Sequence, residues 1–178
     1  MARSRVGAWV GTLVFLVVTP GTVAGLLPWL ILGAHYPPLS WPLAALGAIL
    51  VVAGVALLLD AFVRFAHQGH GTPAPIAPTR ELVVTGPYRF VRNPMYLAIL
   101  AIILGQALAF LSWPVALYGV AVLVAVTVFV VTYEEPTLTE QFGDSYRRYL
   151  AAVPRWLTRP TPYPDAGPGD LPPGGPRP

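Results

Sequence analysis

The sequence predicts an all-α, polytopic membrane protein with about four transmembrane helices and a C-terminal amphipathic interfacial helix. Hydrophobic residues make up 55% of the 178 residues and charged residues only 11%, against roughly 25% charged in an ordinary soluble domain. No Asp, Glu, Lys or Arg occurs in the 54 residues from Val6 to Leu59, or in the 40 residues from Asn93 to Thr132. Uncharged stretches of this length are typical of membrane-spanning helices.

Each uncharged stretch divides into two predicted helices, because a bilayer core about 30 Å thick is crossed by roughly 20 helical residues. The first stretch is interrupted at residues 35–40, where Pro37 and Pro38 forbid a continuous helix. The second is interrupted at residues 111–114, and Pro20-Gly21 predicts a kink inside the first span. The predicted spans are residues 6–32, 41–59, 95–111 and 114–133.

The arginines predict the orientation of these spans. Arginines precede the first predicted span, lie between the second and third, and follow the fourth, whereas the two short turns carry none. By the positive-inside rule this predicts an integral protein of a bacterial-type inner membrane with both termini in the cytoplasm. A cleavable signal peptide that ends near Ala24 is the less favoured alternative.

The residues after the fourth span predict an interfacial helix near 137–152. Thr137 and Glu140 have the spacing of a capping box, and Asp144 and Arg148 are spaced for an ion pair, as are Asp60 and Arg64. A stripe at helical spacing predicts an amphipathic helix that lies on the membrane surface and roofs the site, with its aromatic residues as anchors: Leu138, Phe142, Tyr146, Tyr149 and Val153. Residues 1–159 are predicted to form one domain, and 160–178, with eight Pro and four Gly, a disordered tail.

Several classes of function are excluded by composition. The chain has no Cys, which excludes a thiolate metal site and a catalytic thiol. A net charge of +3, interrupted by apolar runs, does not suggest nucleic-acid binding. His67 and His70 lack a third ligand nearby, so we expect no metal site.

Polar residues concentrate in two stretches on the same predicted side of the membrane, 79–96 and 133–155. In one interpretation Asn93-Pro94 only starts the third span and Arg92 is a positive-inside residue. In the other, Arg92 and free backbone N–H groups hold a ligand carboxylate. Glu134-Glu135 lie at the unfavourable end of a helix dipole, so they are either solvated or hold a cationic or hydroxyl-rich ligand.

Two motifs carry a resemblance to a known group of enzymes. GPYRFVRNPMY begins at Gly86, and EEPTLTEQFGDSYRRYLAAVPRW begins at Glu134. Together they resemble the isoprenylcysteine carboxyl methyltransferase and phospholipid methyltransferase superfamily of integral membrane enzymes, over about residues 69–156.

The resemblance implies a methyltransferase of the EC 2.1.1 class that uses S-adenosylmethionine and acts on a lipophilic or isoprenoid-linked acceptor, through a carboxylate or a lipid headgroup. Arg92 and Glu135 are the candidate catalytic residues, and Arg92 or nearby N–H groups would hold the cofactor carboxylate. Tyr88 and Tyr96 would line the adenosine and sulfonium region, and Glu134 would bind the amino group or the ribose. The candidate cofactor-binding residues are Leu82, Val83, Tyr88, Asn93, Pro94, Met95, Tyr96 and Glu134.

The sequence departs from the family pattern at two positions. Asn93 stands where the family has His, which removes a titratable group. Val130 stands where eukaryotic carboxyl methyltransferases have an arginine that contacts the substrate carboxylate. The first departure argues against a proton-shuttling role at residue 93, and the second weakens the case for a prenylcysteine substrate.

Two other functions remain open from the sequence. Steroid-reductase-like membrane oxidoreductases that use NADPH share a Pro-x-Tyr segment, although Glu134-Glu135 would repel a 2′-phosphate. A non-catalytic membrane scaffold would bind neither cofactor. The acceptor and the oligomeric state are not predicted.

Overall fold

The computed structural model describes residues 14, 17–33, 40–68, 82 and 84–164, without the side chains of 65–68. Within these ranges the chain is helical or irregular and has no strand. Val83, the His67 and His70 side chains, the first predicted turn and the tail beyond Pro164 lie outside the described residues. The elements are a π-helical turn π1 (Gly21–Leu26), α1 (Leu27–Leu32), α2 (Trp41–Gln68), a 3₁₀ turn (Gly86–Arg89), α3 (Pro94–Ala109), α4 (Trp113–Phe129), a second π-helical turn π2 (Val130–Glu134), α5 (Glu135–Phe142) and α6 (Asp144–Ala152).

Two helical segments are long and apolar enough to cross a membrane, Trp41–Arg64 and Trp113–Phe142. Their large apolar side chains point outward, as at Val52, which is 68% exposed. Surfaces of this kind are stable against lipid rather than water. The chain is therefore an all-α membrane protein, as predicted. Val17–Leu32 and Pro94–Ala109 are apolar but shorter, so the count of four spans stays a prediction.

Small residues allow α2 and α3 to pack closely. A Cβ atom on Gly105 would lie 2.6 Å from the carbonyl oxygen of Gly47, and one on Gly54 would lie 2.8 Å from that of Ala98. Two turns further along α2 from Gly54, Ala61 is fully buried and packs with Tyr88. Helices in membranes commonly associate through such small-residue faces. This contact fixes α2 against the segment that carries the GPYRFVRNPMY motif.

The predicted kink at Pro20-Gly21 takes the form of π1, which begins at Gly21. Pro28 has no N–H, so it cannot bond the carbonyl of Ala24 as an ordinary helical residue would. Gln106 of α3 donates to that carbonyl through Nε2 at 2.7 Å, and the Tyr118 hydroxyl of α4 donates to the carbonyl of Val23 at 2.8 Å. Backbone acceptors released by the π geometry are thus satisfied by neighbouring helices.

The last part of the chain differs from the single predicted helix at 137–152. Helix α4 continues through π2 into α5, and Gly143, at φ +54°, separates α5 from α6. Thr137 lies inside α5 and donates to the carbonyl of Tyr133, so the predicted capping box is not formed. Asp144 pairs with Arg147 at 2.8 Å rather than with Arg148. The predicted pair of Asp60 and Arg64 is present at 2.8 Å.

The predicted apolar stripe packs against protein. Its buried members Tyr146, Tyr149 and Val153 form one cluster, here called the α6 cluster, with Val84 of the loop that precedes α3. The partly buried residues of this cluster are Leu82, Leu138, Phe142, Leu150 and Tyr163. Tyr163 comes from the segment predicted to be a disordered tail, and disorder of residues 160–178 stays a prediction. Helix α6 therefore roofs the loop, as the stripe predicts.

Candidate functional site

The loop from Val84 to Asn93 is built around a tight turn. Gly86 adopts φ +55°, a conformation that glycine takes without strain, and the Arg64 guanidinium occupies the space where a Cβ atom would lie. Tyr88 is 7% exposed and packs on Ala61 and Met95. Burial raises the pKa of Tyr88 well above its ordinary value. Its phenol is therefore neutral and part of the packed base of the site.

The C-terminal segment of residues 153–163, here called the strap, runs antiparallel to this loop. Arg92 N–H donates to the carbonyl of Pro154 at 3.0 Å, Arg159 N–H to that of Phe90 at 3.0 Å, and Tyr163 N–H to that of Arg89 at 2.9 Å. The Tyr149 hydroxyl of α6 donates to the carbonyl of Tyr88 at 2.7 Å. These bonds satisfy backbone groups of an irregular loop and hold it in one conformation.

Asn93 joins the loop to the strap. It precedes α3 as predicted, but its side chain makes no capping hydrogen bond. Its Nδ2 instead donates to the carbonyl of Arg155 at 3.2 Å. Pro94, in the first turn of α3, is buried. The predicted role of Asn93 as an N-cap is replaced by a tertiary contact over 62 residues of sequence.

The two motifs meet at Tyr96 and Glu134. The Tyr96 hydroxyl donates to Oε2 of Glu134 at 3.0 Å. Trp156 of the strap lies edge-on to Tyr96, with ring centroids 6.5 Å apart. The predicted juxtaposition of the Asn-Pro-Met-Tyr segment with the two glutamates is therefore found. It places the Glu134 carboxylate beside the Tyr96 ring, which has Trp156 as its aromatic neighbour.

Glu135 has different partners from Glu134. Arg92 donates from Nη1 to Oε1 at 2.8 Å, and Arg155 donates from Nε to Oε1 at 2.8 Å and from Nη2 to Oε2 at 2.9 Å. The Arg92 and Glu135 side chains are 11% and 14% exposed. Hydrogen-bonded ion pairs in such partly desolvated places are strong, because little water screens them. The candidate catalytic residues thus bind each other, with Arg155 as the third member of an ion cluster.

Tyr146 of α6 borders this ion cluster. Burial, followed by the nearby Glu135 carboxylate, raises the pKa of Tyr146 to about 12, while Arg92 lowers it in part. The phenol is therefore protonated at neutral pH and does not act as a base. Helix α6 therefore contributes Tyr146 both to the edge of the ion cluster and to the α6 cluster.

The structure assembles only part of the predicted residue set around the glutamates. Arg92, Asn93, Tyr96, Glu134 and Glu135 lie together with the strap. Met95 and Tyr88 pack with Ala61, where burial, and to a lesser degree Glu134, raises the pKa of Tyr88, and Leu82 packs in the α6 cluster. Val83 lies outside the described residues.

Sequence reasoning missed Arg155, Trp156 and Tyr149 as site residues. A charge count offered a signal for Arg155, because two adjacent carboxylates at the end of an apolar helix require more than the one cation at Arg92. Trp156 and Tyr149 gave no comparable signal, since aromatic residues near a membrane surface are ordinarily anchors.

The donor set fits a small zwitterionic ligand with a cationic centre. Glu134 receives a hydroxyl hydrogen bond while both arginines of the cluster bind Glu135, so its charge is available to a cation. Arg92 Nε is buried and has no hydrogen-bond partner in the described part of the chain. A buried donor of this kind requires an acceptor. A ligand that carries both a carboxylate and a cationic group therefore suits these residues.

Fold and site together define a helical membrane protein with a polar, ion-paired site where its helices end. The sequence model of the phospholipid methyltransferase family matches residues 43–145, more than half of the chain, and the chain belongs to this family. It is accordingly a membrane methyltransferase. A curated protein of Haemophilus influenzae, described only as uncharacterized, is 42% identical over 64 residues, which is 35% of this chain and 100% of that protein. No solved structure matches the chain.

Proposed function

We propose that the protein transfers a methyl group from S-adenosylmethionine to a lipophilic or isoprenoid-linked acceptor, at a carboxylate or a lipid headgroup. The observation that carries the proposal is the unequal treatment of the two adjacent glutamates. Glu134 is bound by the Tyr96 hydroxyl, whereas Arg92 and Arg155 both bind Glu135. One carboxylate is thus held ready for a cationic ligand, and the other is already neutralised.

The residues of the chain have separate tasks in this proposal. Glu134 binds the cationic amino group of the cofactor, or its ribose, and Tyr96 fixes the carboxylate by its hydrogen bond. Arg92 supplies its guanidinium group for the cofactor carboxylate. When bound, the cofactor supplies an electrophilic methyl group on a sulfonium. The site has to align this group with the acceptor and exclude water, which needs positioning more than proton transfer.

The membrane setting supports a lipophilic acceptor. Arg92 lies just before α3, and Glu134 and Glu135 follow α4, whose outward surface is apolar. Arg155 of the strap joins them through Glu135. An acceptor with an isoprenoid or acyl chain could remain in lipid while its polar end reaches this site. The arginine distribution supports an inner-membrane location with both termini and the site on the cytoplasmic side.

Titration of the purified protein with S-adenosylhomocysteine tests the cofactor. Glu134→Gln keeps the shape of the side chain but removes its charge, and a lost charged contact of about 1.5–3 kcal/mol corresponds to roughly a 10- to 100-fold weaker Kd. Glu140→Gln, an exposed position on α5, is the matched control. Saturable binding that weakens in the first variant and not in the second supports the proposal. Absence of binding to the unaltered protein contradicts it.

The acceptor is identified by transfer of a labelled methyl group into membrane lipid extracts, followed by mass spectrometry. Label in an alkali-labile ester indicates a carboxylate acceptor, and label in an alkali-stable amine indicates a headgroup nitrogen. Label that the unaltered protein transfers, and that the Glu134→Gln variant does not, comes from this site. Cofactor binding without label in any lipid fraction contradicts a lipid acceptor.

A further inference from the structure

Arg155 lies in the strap, beyond residues 43–145 that match the family model. Its guanidinium binds Glu135 with two hydrogen bonds, Nε to Oε1 at 2.8 Å and Nη2 to Oε2 at 2.9 Å. This paired arrangement fixes the plane of the carboxylate as well as its charge. Arg92, by contrast, gives Glu135 one hydrogen bond from Nη1.

The backbone around Arg155 is held on both sides. The carbonyl of Pro154 accepts from Arg92 N–H at 3.0 Å, and the carbonyl of Arg155 accepts from Asn93 Nδ2 at 3.2 Å. Val153, directly before this pair, is 1% exposed in the α6 cluster. The strap therefore delivers the Arg155 guanidinium to Glu135 from a fixed support.

We propose that Arg155 is a positioning residue of the cofactor site: by neutralising Glu135 it leaves Arg92 available for the ligand carboxylate and Glu134 available for the ligand cation. This inference rests on the proposed function. Arg155 acts through Glu135 and need not touch the cofactor itself.

Charge balance supports this division of roles. With Arg92, Arg155, Glu134 and Glu135 ionised, the cluster is neutral. Loss of Arg155 leaves the cluster with one net negative charge and with Arg92 as its remaining cation. Arg92 is then held more strongly by Glu135 and is less available to a ligand. A ligand carboxylate would then enter a site with an excess of negative charge, which lowers its affinity. A ligand without a carboxylate would not meet this penalty.

The experiment compares two ligands in four variants by titration in detergent. S-adenosylhomocysteine carries the amino-acid carboxylate, and methylthioadenosine lacks the amino-acid part. We expect Arg155→Gln to weaken S-adenosylhomocysteine binding about tenfold and to change methylthioadenosine binding by less than about twofold. Arg155→Lys should lie between, because lysine keeps the charge but not the paired geometry. Arg148→Gln, an exposed position on α6, is the control.

A double variant separates positioning from simple loss of structure. If Arg155 acts by neutralising Glu135, Arg155→Gln with Glu135→Gln should bind S-adenosylhomocysteine more tightly than Arg155→Gln alone, since the uncompensated carboxylate is gone. The inference is overturned if Arg155→Gln binds like Arg148→Gln, or if it weakens both ligands equally and the second substitution restores nothing. No binding to the unaltered protein would instead overturn the proposed function.

Discussion

The two π-helical turns use the same backbone arrangement for different ends. In each, the turn is followed after one residue by a proline, Pro28 after π1 and Pro136 after π2. Because proline cannot donate to the carbonyl one turn earlier, an irregular turn at this place disturbs fewer hydrogen bonds than it would elsewhere in a helix. The sequence context of the two turns is therefore similar, and what surrounds them is not.

At π1 the released carbonyls face other helices, and at π2 the turn brings two carboxylates to the ion cluster. The carbonyls of Val23 and Ala24 accept hydrogen bonds from Tyr118 and Gln106, respectively. The π1 turn, and α1 that follows it, are thereby connected to α3 and α4. Glu134, the last residue of π2, meets Tyr96, and Glu135 follows at the start of α5. One turn thus contributes to packing and the other to the site, which shows that the role of a π-turn depends on its partners.

The largest expected effect comes from deleting one residue from each turn. Deletion converts the wide π-turn to an ordinary α-helical turn, which shifts the residues inside the turn relative to their partners. Removing Val131, an exposed residue, should separate Glu134 from Tyr96 and lower methyl transfer at least about 100-fold. Removing Thr22 from π1 should leave cofactor affinity within about twofold. Methyl transfer and S-adenosylhomocysteine titration measure both.

Equal losses in the two deletion variants would contradict the distinction between the turns. Far-ultraviolet circular dichroism and elution as a single species serve as the control for folding. A Val131 deletion that still binds the ligand with unchanged affinity would show that π2 does not position Glu134.

The second effect concerns stability at π2. Glu135→Ala leaves the Arg92 and Arg155 guanidinium groups close together without their shared partner, and loss of one member of a partly buried ion cluster costs about 3 kcal/mol. Equilibrium unfolding in mixed detergent measures this change. Glu140→Ala, an exposed change on the same helix, should cost less than about 0.5 kcal/mol. A similar small cost for Glu135→Ala would mean that the cluster is effectively solvated.

The smallest effects are expected at π1. Gln106→Leu leaves the carbonyl of Ala24 without its donor between two apolar helices, which should cost about 1–2 kcal/mol of unfolding free energy. Tyr118→Phe should cost about 1 kcal/mol for the same reason at Val23. The same unfolding assay measures both, and cofactor affinity should stay within about twofold. A larger loss of affinity would mean that π1 communicates with the site.

Much of the fold and part of the site could be predicted because they depend on local patterns. The uncharged stretches predict the apolar helices, and the turn at 111–114 is present, with Ser112 accepting a hydrogen bond from Val115 N–H. The meeting of Tyr96 with Glu134 follows from a hairpin of two successive helices. The predicted capping box at Thr137 was wrong because helix α4 continues through that residue, so no helix begins there.

Tertiary contacts account for what the sequence left undecided. The sequence determined that the chain is a helical membrane protein and that polar residues collect where two of its helices end, because periodicity and charge placement act over a few turns. Only the folded structure decided which glutamate the arginines bind. That choice depends on Arg155 reaching back 20 residues to Glu135 and on Arg92 reaching forward 43. No local pattern encodes such distances, since they arise from the strap crossing the loop before α3.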